Sequence, residues 1–308
     1  MVKHSFGGDW TASKLRCLSK YLDAYTRIVS KQNFNEYMYI DAFAGTGWLT
    51  LKQNENPDHQ LNVQGLIFSP LEPYQEFSAE GSKDQLDGSA RIALKVNPVF
   101  TQYFFVEKDK KRFYELQKLK ADYPERKIVF ENSDANIFIQ QICREYKWQK
   151  DGVRAVLFLD PYGMNVSWKT VEMIAETEAI DLWYLFPLGV ALNRLLKNNG
   201  KISDTHRSKI DTVLGTPDWY DVFYQTCIDS NIFGSESSTK KVVDFESISQ
   251  YLIQRFQSKF AGVASNPRML VNSKNNPLYL LCFASANPRG STTAIKIAQD
   301  ILTKEGNE

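Results

Sequence analysis

Five short apolar runs alternate with helix-like stretches, and each run stops at an acidic, glycine or proline turn. The runs are Tyr37–Phe43, Gln102–Val106, Lys127–Phe130, Ala155–Leu159 and Asp181–Phe186. Helical patterns fall between them at Ser89–Val96, Lys110–Asp122, Ile137–Tyr146 and Trp168–Glu178. Strands joined by helices in this way build a parallel sheet with helices on both faces. Burial on both faces also explains why the runs show little polar alternation.

The flanking segments fill out the plan. The first 36 residues read as a helix, with Leu15, Leu18, Leu22, Tyr25 and Val29 at helical spacing and Thr11 or Ser13 available as a cap. Residues 52 to 88 are polar and broken by Pro57, Pro70 and Pro73, which predicts a long loop with room for a short strand at Gly65–Phe68. Val190–Leu196 reads as a short helix. Residues 201–265 then read as a helical insertion (Ser208–Leu214, Asp218–Ile228 and Phe245–Phe260), with Gly234–Lys241 as a polar link. Strand patterns return at Arg268–Val271 and Leu278–Ala284 around an Asn-Asn-Pro turn, before a last helix at Thr292–Thr303. The expected domains are an α/β unit over 1–200 and 266–308, interrupted by the insertion.

Composition narrows the function classes. A chain of 308 residues with 43% hydrophobic residues can bury a sizeable core. Thirty-seven basic against 36 acidic residues imply no bulk electrostatic grip on nucleic acid or membrane, although a local patch can exist. No apolar window reaches the length of a membrane span, and no signal-like run opens the chain. Cys17, Cys143, Cys227 and Cys282 are far apart, and none of His4, His59 and His206 sits at metal-ligand spacing. Free thiols in a reducing cytoplasm are the expectation, with no metal site.

Chemistry-bearing residues gather at the ends of the runs. In an open parallel sheet these ends share one edge, which is where ligands bind. Asp41-Ala-Phe-Ala-Gly-Thr-Gly47 is a glycine turn that lets the backbone approach a ligand. Thr50 stands where a dinucleotide fingerprint needs its third small residue, and there is no phosphate-loop motif. The turn therefore suits a ligand without a diphosphate, or is a plain strand-to-loop turn. Glu107 can accept the two hydroxyls of a ribose or simply open a solvated helix. Asp134 is either a helix cap or an acceptor for an adenine amine. In Asp160-Pro161-Tyr162-Gly163, Pro161 holds Asp160 extended and Tyr162 offers a stacking face. The same residues also serve ordinary turns. Lys108, Lys110, Lys111 and Arg112 can touch phosphate or form a solvated helix face.

Taken in order, Tyr39–Gly47, Gly88–Leu94, Phe104–Glu107, Phe158–Gly163 and Asp181–Pro187 resemble the three-Cys-motif partner (TcmP) family, from Trp10 and Lys14 in the first helix to Phe283-Ala-Ser285. That family is similar to class I S-adenosylmethionine-dependent methyltransferases. The resemblance implies a Rossmann-like seven-stranded sheet whose last strand is antiparallel, binding S-adenosyl-L-methionine. It also implies site roles. Asp41, Phe43, Gly45 and Gly47 would line the methionine part and Ser89 would hold the methionine carboxylate. Glu107 would hold the ribose, Asp134 would face the adenine, and Asp160 would lie beside the methyl group. Asp160, Pro161 and Tyr162 would form the catalytic turn. Two departures stand out: roughly forty residues separate the glycine turn from Ser89, and Asp-Pro-Tyr-Gly lacks the second proline of the amino-methyltransferase signature. The family name implies a three-cysteine-motif protein as partner, whose cysteines this chain does not supply.

The resulting expectation is a methyltransferase acting on nucleic acid or on a partner-delivered substrate, with a non-catalytic scaffold for the three-cysteine protein as the alternative. A nicotinamide-dependent oxidoreductase is disfavoured by the missing third glycine.

Overall fold

The computed structural model describes residues 9–50, 85–231 and 234–305. Most of the predicted long loop, including the strand at Gly65–Phe68, lies outside the described residues. Helix α1 (Asp9–Val29) leads into β1 (Glu36–Asp41). Strands β2 (Trp48–Thr50) and β3 (Gln85–Asp87) pair antiparallel where the long segment leaves and returns. The alternating unit follows as α2 (Ser89–Lys95), β4 (Gln102–Val106), α3 (Lys110–Gln117), α4 (Leu119–Asp122), β5 (Ile128–Glu131), α5 (Ala135–Glu145), β6 (Val153–Leu159), α6 (Trp168–Glu176) and β7 (Ile180–Phe186).

A π-helical turn (Leu188–Leu192) and α7 (Asn193–Leu195) come next, then α8 (Asp204–Leu214) and α9 (Trp219–Phe223). Strands β8 (Tyr224–Asn231) and β9 (Gly234–Lys241) form a hairpin, followed by α10 (Phe245–Gln257), β10 (Gly262–Val263), β11 (Arg268–Val271), β12 (Pro277–Ser285) and α11 (Ser291–Lys304).

The main sheet runs β5-β4-β1-β6-β7-β12, with β10 and β11 both paired to the outer side of β12. The first five strands are parallel and β12 is antiparallel to β7. This is a Rossmann-like, mostly parallel sheet with the expected antiparallel strand, but it has eight strands rather than seven because both β10 and β11 pair with β12. Every residue of β4, β6 and β7 is buried, as the unbroken apolar runs require. One face is covered by α5, α6, α8 and α10, and the other by α1, α2, α3 and α11. Chain order turns back at β1, which sits between β4 and β6. The crevice at such a switch point is the usual ligand position in this architecture.

Three local expectations are corrected. Helix α1 starts at Asp9, so Thr11 and Ser13 lie inside it rather than capping it. The segment Asp218–Ile228 is helical only as far as Phe223. Beyond that point Tyr224 pairs with Lys241, and the polar link becomes a strand. Its Thr and Ser side chains suit an exposed ladder, and Thr226 and Thr239 hydroxyls meet across it at 3.2 Å. Val190–Leu196 is tightened into the π-helical turn and one short α-helical turn.

Candidate functional site

Asp41 ends β1 in register with Phe105 of β4 and Phe158 of β6. Glu107 follows β4, Asp134 follows β5 and Asp160 follows β6. The four carboxylates therefore lie along one edge of four adjacent strands, because the strands are parallel.

The Asp41–Gly47 turn is held by the neighbouring strands. Ala42 N donates to Phe158 O at 3.2 Å and Ala44 N to Val106 O at 3.0 Å. Gly45 adopts φ +60°, and a Cβ there would meet open space. Gly47 adopts φ +78°, and a Cβ there would lie 2.9 Å from Leu119. Gly45 thus presents bare backbone to the crevice, whereas Gly47 is needed for packing. Phe43 is half-buried and packs against the core.

Asp41 is fully buried. It accepts from Phe43 N at 3.2 Å and from the Tyr39 hydroxyl at a loose 3.4 Å. The Ser89 side chain also bonds to it, which closes the gap of about forty residues noted in the sequence. Burial pushes Asp41 up to about 7, and the nearby Asp160 adds to that rise, against the hydrogen bonds from Ser89 and Phe43 N. The carboxyl is therefore poised to change charge near neutral pH.

Glu107 is 4% exposed and heavily engaged. Its Oε2 accepts from Gly45 N at 3.1 Å. Its Oε1 accepts from Asp109 N at 2.8 Å and lies 3.1 Å from Arg112 Nη2. A carboxylate has about four acceptor positions. Two incoming hydroxyls therefore require Arg112 to give way. The Arg112 guanidinium also lies 5.0 Å from the centroid of the Tyr162 ring, so one cation touches both Glu107 and the exposed aromatic.

Asp134 caps α5, accepting from Asn136 N at 2.9 Å, and pairs with Lys108 Nζ at 3.1 Å. Burial raises its pKa, but the bonds from Lys108 and Asn136 outweigh this and hold it below the ordinary value. Asn136 in turn ties α5 to the loop after β6, donating to Asn165 O at 2.7 Å and accepting from Ser167 N at 2.9 Å.

Asp160 pairs with Lys14 of α1. The Lys14 side chain is 7% exposed and that of Asp160 26%. Pro161 is buried, and Tyr162 is 51% exposed. In the sequence Lys14 stands only as one end of the TcmP resemblance and not as a site residue, although a further signal is present. It lies on the apolar face of α1, four residues before Leu18 and seven before Tyr21, where a lysine needs a buried partner.

The edge can thus offer buried acceptors, a bare glycine and an exposed aromatic to a nucleoside. A cavity of about 320 Å³ lined by Glu172, Glu176, Lys259 and Pro288 lies at the opposite edge of the sheet and belongs to none of this. Among the described residues no cluster of His, Cys, Asp and Glu could hold a metal, and no helix is long and apolar enough to cross a membrane.

No family model and no curated protein matches the chain. Among solved structures, protein LPL1258 from Legionella pneumophila str. Philadelphia 1, described with the family model DUF519, is similar over 96% of this chain and 91% of its own, at 15% identity and TM-score 0.48. An S-adenosylmethionine-dependent methyltransferase from Clostridium acetobutylicum is similar over 86% and 90%, at 11% identity and TM-score 0.32. At these identities and scores the likeness bears on neither substrate nor catalysis.

Proposed function

We propose that the protein is an S-adenosylmethionine-dependent methyltransferase acting on a nucleic acid or on a substrate delivered by a partner. The observation that carries this reading is the alignment of Asp41, Glu107, Asp134 and Asp160 along one sheet edge, around a glycine whose missing Cβ faces open space. The donor set fits the cofactor by chemistry. Glu107 would accept the ribose hydroxyls once Arg112 moves aside, and Asp134 would accept the adenine amine. The Asp41–Gly47 turn, with Phe43 and Ser89, would border the methionine part.

The cofactor supplies an electrophilic methyl group on a sulfonium. Asp160 would accept a hydrogen bond from the acceptor N–H and orient the nitrogen lone pair toward the methyl, while Pro161 restricts the Asp160 backbone. As the N–C bond forms and the S–C bond breaks, leaving a neutral thioether, the N–H proton would pass to the Asp160 carboxylate. Lys14 holds Oδ2 of the Asp160 carboxylate, so its task would be orientation. Tyr162 stacks on the acceptor base.

Isothermal calorimetry with S-adenosylmethionine tests this directly. Wild type binds and Glu107→Ala loses binding. Asp160→Ala retains binding but no longer transfers labelled methyl to cellular RNA or DNA. Absence of binding to the folded protein would end the proposal.

A second reading keeps the fold as a scaffold for a three-cysteine-motif protein, in line with the likeness to the TcmP family. It is favoured by the missing second proline and by Lys14 already occupying Asp160. Methyl transfer by the purified chain alone, abolished in Asp160→Ala, would dismiss it.

A further inference from the structure

The segment 108–127 contains eight Lys and Arg residues against four Asp and Glu, in a chain whose net charge is only +1. The excess is concentrated rather than spread. Its densest part, Lys108 to Arg112, lies at the start of α3 beside Glu107, at the carboxylate edge of the sheet. Cations at a helix N-terminus oppose the helix dipole. Asp109 caps α3 by accepting from Arg112 N at 2.9 Å, Glu107 pairs with the Arg112 guanidinium and Asp134 with Lys108, which leaves Lys110 and Lys111, among the described residues, as the unanswered charges of the first turn.

Lys108, Lys110 and Lys111 are exposed, and among the described residues neither Lys110 nor Lys111 has an ion-pair partner. Tyr114, one turn further along α3, is 66% exposed, with Lys118 Nζ 5.5 Å from its ring. Arg112 leads inward from this face to Tyr162. Exposed lysines beside partly exposed aromatic rings are what a single strand needs: charge for phosphates on Lys110 and Lys111, and ring surface for unstacked bases on Tyr114 and Tyr162.

We propose that this face of α3 docks single-stranded RNA, with its phosphates on Lys110 and Lys111 and an unpaired base on Tyr162. The inference rests on the methyltransferase reading for its purpose but not for its observations. RNA is the committed partner because its loops present unpaired bases without prior flipping, whereas duplex DNA must first give one up.

The test uses the full chain and a labelled, unstructured oligoribonucleotide of about 12 nucleotides, followed by fluorescence anisotropy over a range of salt. Lys110→Glu/Lys111→Glu should lower affinity at least roughly tenfold and flatten the salt dependence by about 1.4 in log–log slope, the loss of two phosphate contacts. Tyr162→Ala should lower it by roughly tenfold. Lys274→Glu/Lys296→Glu makes the same charge change at exposed positions on the β11–β12 turn and α11, and should bind as wild type. The proposal is overturned if the two double variants behave alike, if Lys110→Glu/Lys111→Glu binds as wild type, or if duplex RNA or single-stranded DNA competes equally. Calorimetry with S-adenosylmethionine separates the two ideas. Cofactor binding without RNA binding removes the docking face alone. RNA binding without cofactor binding removes the enzyme reading alone.

Discussion

Lys14 and Asp160 are 146 positions apart and share a partly buried ion pair. Removing one member strands the other charge in a poor environment, which costs more than the pair itself contributes. Lys14→Met should therefore lower unfolding free energy by about 2 kcal/mol. Adding Asp160→Asn should restore most of that loss, as the coupling read from a double-mutant cycle in urea. Simple additivity would mean that the pair does not interact.

Asp181 lies in an otherwise apolar strand and accepts from Tyr21 Oη at 2.6 Å and Ser285 Oγ at 2.5 Å. Burial pushes it from 3.8 to about 6, despite both bonds. A raised carboxyl means the folded state holds the proton more tightly. Its stabilising effect is complete below 3.8 and is lost as pH rises through about 6. Asp181→Asn has no such titration. Its stability relative to wild type should improve between about pH 4 and pH 8 by on the order of 3 kcal/mol. A difference that does not change with pH would refute this.

Helix α1 does more than cover the sheet. Arg16 Nε donates to Glu305 Oε2 at 2.8 Å, and Lys20 bonds to Oε1 of the same carboxylate. Glu305 follows α11, so the first and last described helices are clamped together while Lys14 is carried to the site. Burial raises the Glu305 pKa, but Lys20 and Arg16 overcome it and hold the group below its ordinary value.

The π-helical turn is fitted just as closely. A Cβ on Gly189 would lie 1.9 Å from Pro277 O, so this turn abuts the start of β12 with no room for a methyl group. Gly189→Ala should cost about 2 kcal/mol by forcing the backbones apart. An unchanged urea midpoint would show that the turn is free to move.

For the molecule as a whole, a ligand that binds only the folded chain must stabilise it. At about a hundredfold excess over Kd, S-adenosylmethionine should add about 2.7 kcal/mol, or roughly 4 °C in Tm for a chain this long. Glu107→Ala should abolish the shift without lowering the ligand-free Tm by more than a few degrees. An equal shift in both proteins would place the cofactor elsewhere.

Much of this architecture can be read along the chain. Unbroken apolar runs separated by amphipathic stretches call for a sheet buried on both faces, and parallel strands bring Asp41, Glu107, Asp134 and Asp160 to one edge whatever the loops do. The strand pair within Tyr224–Lys241 could not be read in this way, since its polar strands are stabilised by pairing with each other and by no apolar pattern of their own. Nor could the partners of the polar groups. Hydrophobic periodicity records which side of an element is buried. That Lys14 meets Asp160, that Arg112 bridges Glu107 and Tyr162, and that Tyr21 and Ser285 share Asp181 depends on how distant elements approach once that burial is complete.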